Sequence, residues 1–237
     1  MLEGKVALVT GASQGLGRAL ALACAKEGAN LVISSRSADS LETVAKEARG
    51  SGVEVLAVPA DLSRSEDVQK LVDAAVARFG KIDVLVNNAG LLGPRVRIEE
   101  YPEDKWRSVL DANLTGPFLV SKAAIPHMRE GASVINVTSG VSIEGRPEWG
   151  AYSVSKFGLE GLTQILAAEL KAHGIRANSV DPGGMRTTMR AAAYPDEDPT
   201  TRITPEENTA VFLYLASDES REVTGERFKA QEFQPAR

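Results

Sequence analysis

Six short apolar runs recur along the chain: KVALVT, NLVISS, VEVLAVP, IDVLVNN, SVINVTS and IRANSVDP. Each is rich in Val, Ile and Leu with little polar alternation, the pattern of strands buried on both faces. Helical patterns separate them. GLGRALALACAKEG, SADSLETVAKEARG and SRSEDVQKLVDAAVARFG follow the first three runs. In the third, Ser63 and Glu66 form an S-x-x-E capping box and Gly80 supplies a C-terminal stop. A long helix is predicted over about 102–129 and another over about 152–173, ended by Gly174; Thr204-Pro205-Glu206-Glu207 opens a last one. Strand alternating with helix implies right-handed crossovers and a doubly wound α/β fold, a parallel sheet of about seven strands with helices on both faces. No linker, repeat or low-complexity segment interrupts it, so residues 1–237 are expected to form one domain. The one irregular stretch, MRTTMRAAAYPDEDPTTRI at 185–203, reads as a substrate loop or lid.

Composition narrows the function classes. With a net charge of −5, the chain has no global electrostatic reason to bind nucleic acid or an anionic membrane. No apolar run is long enough to span a bilayer, and MLEGKVALVTGAS lacks the features of a signal peptide, so a cytoplasmic protein is expected. Cys24, the one cysteine, lies in an apolar helix pattern and reads as a small core residue. His127 and His173 have no Cys or carboxylate cluster around them, and no metal site is expected.

The first run closes into TGASQGLG at 10–17 and an alanine-rich helix. Gly11, Gly15 and Gly17 allow a sharp turn and close approach to a ligand, and the helix N-terminus offers free N–H groups to a pyrophosphate. The spacing G-x-x-x-G-x-G differs from G-x-G-x-x-G, and the G-K-[ST] of a phosphate-hydrolysing loop is missing.

Further along come Asp61 after the third run, NNAG at 87–90, Asn113 in the long helix, Ser139 after the fifth run, YSVSK at 152–156 and PGGMRT at 182–187. In this order, over nearly the whole chain to about residue 225, the sequence resembles the short-chain dehydrogenase/reductase family, with the look of its 3-oxoacyl-carrier-protein reductase-like ketoreductases. That resemblance implies a Rossmann-type fold and an NAD(P)-dependent oxidoreductase. It implies that Asp61, with Leu62 beside it, holds the adenine, and that Asn87, Ala89 and Gly90 line the cofactor. Pro182, Gly183 and Thr187 would position the nicotinamide, and Ser13, Gln14 and Leu16 would join the glycines of the loop.

The second run ends in ISSRSADS, where an acidic residue would select NAD by gripping a ribose hydroxyl. Ser34, Ser35, Arg36 and Ser37 stand there instead, and Arg36 can make charge-assisted hydrogen bonds to a 2′-phosphate. NADP(H) is therefore favoured over NAD(H).

Tyr152 and Lys156, four apart on a predicted helix, share one face. A cation about 5 Å from a phenolate stabilises it by roughly 3 kcal/mol at an effective permittivity of about 20, a little over two pKa units. The spacing thus predicts a tyrosine pKa lowered towards the range of general acid–base catalysis. Ser139 ends a predicted strand, at the sheet edge where ligands of parallel sheets bind. In reduction, hydride would pass to a carbonyl carbon, Tyr152 would protonate the oxygen and Ser139 would hydrogen-bond it. By resemblance, Lys156 also holds the nicotinamide ribose, and Asn113 holds a water that links Lys156 to solvent.

The substrate is expected to be a small carbonyl compound or secondary alcohol, with pocket candidates Leu91, Leu92, Ser142, Trp149, Met185, Met189 and Tyr194 and carboxylate-binding candidates Arg146 and Arg186. Trp149 can equally face the substrate or pack. The ending ERFKAQEFQPAR departs from the family pattern; RFKAQEF could still form a strand. The two long helices offer faces for a homodimer or homotetramer by fold analogy. Two other function classes stay open: a nucleotide-binding sensor or scaffold without turnover, and an epimerase, isomerase or lyase of related fold.

Overall fold

The computed structural model describes residues 1–234, and the last three residues of the chain lie outside it. Seven parallel strands form one sheet: β1 (Val6–Thr10), β2 (Asn30–Ser35), β3 (Val55–Pro59), β4 (Val84–Asn87), β5 (Ser133–Val137), β6 (Arg176–Asp181) and β7 (Arg227–Lys229). Their order across the sheet is β3-β2-β1-β4-β5-β6-β7. The chain winds outward from β1 in one direction, then returns to place β4 on its other side. This reversal leaves a crevice beyond the carboxyl ends of β1 and β4.

Helices cover both faces. Successive residues of β1 alternate between them: Ala7 and Val9 join Leu20, Leu31, Leu41 and Phe212 in one core, whereas Val6 and Leu8 join Leu71, Leu85, Val120 and Leu166 in the other. Side chains alternate faces with period two, and both faces are dry, so the strands read as continuous apolar runs. The first core is supplied by α1 (Gly15–Lys26), α2 (Ala38–Arg49) and α8 (Ala210–Ala216); the second by α3 (Ser65–Phe79), α5 (Gly116–Ala124) and α6 (Gly150–Leu170). Cys24 is buried in the first core, and burial pushes its thiol up to about 12.

The helix expected over 102–129 is broken into α4 (Glu103–Leu110), a π turn at Asp111–Thr115 and α5, followed by a 3-10 turn to His127. The π turn carries the buried Asn113. Such single wide turns inside α-helices are frequent at functional sites.

Of the two capping boxes, one forms. The Thr204 N–H donates to Glu207 Oε2 at 2.7 Å, and the Glu207 N–H returns to Thr204 Oγ1 at 3.4 Å. Ser63 does not cap: its N–H and hydroxyl both donate to Asp61 Oδ1, at 3.0 and 2.7 Å, and α3 starts two residues later. The nearby carboxylate is the stronger acceptor and takes both groups. Gly80 closes α3 at φ 74°, as expected of a left-handed C-cap.

The segment 185–203 is tied down rather than loose. It holds the short α7 (Thr188–Ala193), and Glu197 accepts from Arg190 Nε and Nη2, both at 2.6 Å, and from Arg202. Those two guanidiniums hold the Glu197 carboxyl down to about 2. The expected strand RFKAQEF shortens to β7 followed by a 3-10 turn at Ala230–Glu232, and Phe228 and Phe233 pack with Tyr214.

Candidate active site

The crevice is built from two strand ends pinned together. Thr10 Oγ1 donates to Val86 O at 3.2 Å and accepts from the N–H groups of Asn88 and Ala89 at 3.0 and 3.1 Å. Asn88 Nδ2 donates to Thr10 O at 2.9 Å and to Gly11 O at 3.3 Å. The glycines are sterically required here. A Cβ at Gly11, which has φ 66°, would fall 2.8 Å from Ala89 Cα; one at Gly17 would fall 2.2 Å from Gly11 O. Gln14 N-caps α1 without a side-chain hydrogen bond, so the first turn of the helix, with Leu16 buried behind it, opens its N–H groups to the crevice. The methyl of Thr187 stands over the loop, 3.6 Å from where a Gly15 Cβ would be. Thr187 also N-caps α7, its hydroxyl accepting from Arg190 N at 3.1 Å.

At the end of β2, Ser34 Oγ is buried with no hydrogen-bond partner among the described residues, and Ser34 O accepts from Ala12 N at 3.0 Å. Arg36, just beyond, is exposed and forms no ion pair among the described residues. Asp61 lies close enough for Arg36 to help lower its carboxyl pKa, although the hydrogen bonds from Ser63 contribute most. A backbone cradle that a side chain would fill, an orphaned buried hydroxyl and an unengaged guanidinium fit a phosphorylated dinucleotide.

Two neighbouring asparagines face opposite ways. Asn87 turns into the interior, where Nδ2 donates to Ser121 Oγ at 3.1 Å and Asn136 Oδ1 at 2.9 Å. The Asn87 side chain thus bridges β4, β5 and α5, and it is Asn88 that meets the glycine loop. Period-two parity gives the signal: Leu85 faces the same core that α5 serves, so Asn87 must as well.

Asn113 is fully buried in the π turn. Its Oδ1 accepts from Leu91 N at 2.7 Å, and Nδ2 donates to Leu91 O at 2.9 Å and Ser155 Oγ at 3.1 Å. Both amide hydrogens are thus committed to protein, and the side chain pins the loop after β4 rather than offering a free donor to water. Gly90 fits between it and Lys156: a Cβ there would lie 3.2 Å from Asn113 Oδ1 and 3.9 Å from Lys156 Nζ.

Ser139, Tyr152 and Lys156 come together at the mouth of the sheet. Lys156 Nζ lies 5.8 Å from the centre of the Tyr152 ring and donates to Val137 O at 2.7 Å. The two side chains share a face of α6, as the spacing predicts. The expected direction of the tyrosine shift is reversed. Burial pushes the Tyr152 phenol up to about 12, with the hydrogen bond to Ser139 opposing it and the Asp181 charge adding to it. Burial also pulls the Lys156 amine down to about 8. The loss of water around both groups outweighs the attraction between them.

A cavity of about 230 Å³ opens over Ser139 and Tyr152. Leu92, Trp149, Met185, Met189 and Tyr194 line it, with Arg146 at its rim. Of the other candidates, Leu91 does not line it, its main chain being held by Asn113, and neither does Ser142, whose Oγ donates to Glu160 Oε1 at 2.7 Å. Arg186 does not reach it either; it is spent on the carbonyls of Pro199, Thr200 and Arg202. Trp149 does both things expected of it, lining the cavity and packing 5.6 Å from the Tyr152 ring. Arg95, which the sequence did not single out, stacks on both Trp149 and Tyr194 at 4.9 and 5.2 Å and donates to Ala193 O at 2.7 Å. It joins the loop after β4 to α7 across the pocket.

Residues 5–198 match the family model described as short chain dehydrogenase, and the chain belongs to that family of oxidoreductase enzymes. It is 35% identical to the uncharacterized oxidoreductase YciK of Escherichia coli K12, covering 98% of this chain and 93% of that one. It is 37% identical to the 3-oxoacyl-[acyl-carrier-protein] reductase FabG of Thermotoga maritima, with 95% of each chain covered. Among solved structures, a short chain dehydrogenase of Escherichia coli CFT073 complexed with NADPH superposes with a TM-score of 0.94 at 36% identity, covering 97% of this chain and 98% of that one.

The buried amine yields a stability prediction. Lys156 titrates near 8 in the folded chain against an ordinary 10.5. Between those values the unfolded chain carries more protons, so stability rises with pH across that window. The Tyr152 phenol opposes this only above pH ~10, where the unfolded chain begins to lose its phenolic protons. In urea unfolding, wild type should gain about 2 kcal/mol over Lys156→Met between pH 7 and pH 10. A constant difference would mean that the amine is not desolvated.

Proposed function

We propose that the chain is an NADP(H)-dependent reductase of ketones, able to run in reverse as a secondary-alcohol dehydrogenase, with Tyr152 as its general acid. The observation that carries this reading is a buried phenol beside a serine hydroxyl and an amine, under an apolar cavity that borders the Pro182–Thr187 loop. The N–H groups at the start of α1 and the turn through Gly11, Ser13, Gln14, Gly15, Leu16 and Gly17 would hold the pyrophosphate. Arg36 would take the 2′-phosphate, with Ser34, Ser35 and Ser37 beside it. Asp61 and Leu62 would flank the adenine; Ala89, Gly90, Pro182, Gly183 and Thr187 would line the nicotinamide half, with Asn87 acting only through the strand end it braces. When bound, the nicotinamide supplies the hydride.

The protein's own part is proton management. A phenol pushed up to about 12 keeps its proton throughout the neutral range, as a carbonyl-reducing acid must. Tyr152 gives that proton to the carbonyl oxygen, and the Ser139 hydroxyl donates a hydrogen bond to the same oxygen as charge develops. The phenolate left behind is stabilised by the Lys156 ammonium and by Ser139. Asn113 keeps the loop at Leu91 against this centre. Walls of Leu92, Trp149, Met185, Met189 and Tyr194 favour a compact, largely apolar carbonyl compound, and Arg146, loosely paired with Glu144 at 3.9 Å, lines the same cavity.

The reading includes a homodimer. Val154, Phe157 and Ile165 make one exposed stripe along α6, with Phe118 exposed on α5. Aromatic and branched side chains at helical spacing, open to water, are the surface a second copy would cover.

The function is tested by mixing the protein with NADPH and a panel of ketones and following the reduced-nicotinamide absorbance. Tyr152→Phe should lower kcat by about 10²–10⁴-fold with NADPH affinity near normal; full activity in that variant sinks the assignment of the acid. Arg36→Asp should cut kcat/KM for NADPH by about 10–100-fold and leave NADH little changed or improved. Light scattering should give twice the chain mass, falling to one chain in Phe157→Glu; a monomeric wild type would rule out the dimer.

A further inference from the structure

A group of charges beside the reaction centre has no part in the reading above. Glu160 lies on α6 one turn beyond Lys156 and two beyond Tyr152, on the same face. Asp181 ends β6, and Arg227 begins β7. The Arg227 guanidinium joins them: Nε donates to Glu160 Oε1 at 3.1 Å, and Nη2 donates to Asp181 Oδ2 at 3.0 Å and to the Ser139 carbonyl at 3.2 Å. The remaining acceptors are filled as well. Ser142 and Ser179 hydroxyls donate to the two Glu160 oxygens at 2.7 and 2.5 Å, and Gly183 N donates to Asp181 Oδ1 at 3.0 Å. Side-chain exposure is only 20% for Arg227, 12% for Glu160 and 11% for Asp181. Charges this withdrawn from water are tolerated only when paired and hydrogen-bonded.

We propose that Arg227 is a positioning residue for the reaction centre: its single guanidinium fixes the main chain at Ser139 and partly offsets the two carboxylates, Glu160 and Asp181, that flank Lys156 and Tyr152. The proposal rests on the reading of Ser139, Tyr152 and Lys156 as that centre. The groups facing Lys156 and Tyr152 are few. Glu160 comes from their own helix, Asp181 from β6 and Arg227 from β7. β5 and the turn after it present the Val137 carbonyl and the Ser139 hydroxyl, and the π turn presents the neutral Asn113. Across the cavity Arg190 is engaged by Glu197, and Arg146 stands at the rim. Even with Arg227 in place, the Glu160 charge raises the Lys156 pKa and the Asp181 charge raises that of Tyr152. Without it both carboxylates would act uncompensated. Arginine suits the post because its planar fork reaches acceptors on three different elements at once, which a lysine cannot. The same chain segment grips the neighbouring loop, where Gln231 Nε2 donates to Pro182 O at 2.9 Å and Gly184 O at 3.0 Å.

The test titrates Lys156 itself in the full chain, labelled with ¹³Cε-lysine, the signal being assigned by its loss in Lys156→Met. Arg227→Met should raise the Lys156 midpoint by about one pH unit. Adding Glu160→Gln should bring it back, because the cluster then carries its original net charge. Arg227→Lys keeps the charge and should leave the midpoint near wild type, yet with NADPH and a ketone that wild type reduces it should lose about tenfold in kcat with KM changed far less. A role confined to stability would lower the melting temperature of these variants and leave the midpoint where it was. An unmoved midpoint in Arg227→Met overturns the proposal, as does wild-type kcat in Arg227→Lys. If Arg227→Met does not fold, the charge-matched Arg227→Met/Glu160→Gln protein decides: a wild-type midpoint with lowered kcat supports the proposal, and unchanged kcat overturns it. The titration needs no substrate, so a wild type that reduces no ketone sinks the reductase reading without touching the electrostatic result.

Discussion

The mouth of the sheet depends on one steric and hydrogen-bonded junction, where the ends of β1 and β4 are locked together through Thr10 and Asn88. Parallel strands arrive there with all their carboxyl ends on one edge, and the reversal of winding between β1 and β4 keeps helices off that edge. The junction then dictates the glycines. With Ala89 and the Asn88 amide pressed against the turn, Gly11 and Gly17 have no room for a Cβ. A cleft able to admit a dinucleotide is in this sense the by-product of joining two strand ends as tightly as the backbone allows.

Around that cleft, desolvation sets the chemistry more strongly than attraction between neighbours. Tyr152 and Lys156 are both cut off from water, and each shifts towards its uncharged form. A phenol that holds its proton and an amine poised near neutrality make a site ready to donate. The carboxylates of Glu160 and Asp181 would disturb both groups if left alone, and the fold answers with a guanidinium rather than with solvent.

The sequence was legible wherever a local rule decides the outcome. The strands announce themselves because both faces of the sheet are dry, and the glycine loop because only glycine fits. Tyr152 and Lys156 share a face because four residues make about one helical turn. It was illegible where tertiary surroundings decide. The direction of the Tyr152 shift follows from burial that no spacing reports. Ser63 was a fair cap by pattern and lost its hydroxyl to Asp61, two residues away. Asn87 and Asn88 are chemically identical, and only strand parity tells which one faces inward. Asn113 sits in a stretch read as one continuous helix, and no local rule told of the π turn by which it pins Leu91. Arg227 carried no signal at all, since its partners stand 46, 67 and 88 residues earlier.

That separation in sequence has a bearing on how the molecule is made. The junction at the cleft draws only on residues up to Asn88, so it can form while most of the chain is still being synthesised. The anchor on Ser139 waits for Arg227 of β7, 88 residues further along the chain. A nascent chain therefore closes the junction at its cleft well before the main chain at Ser139 is anchored.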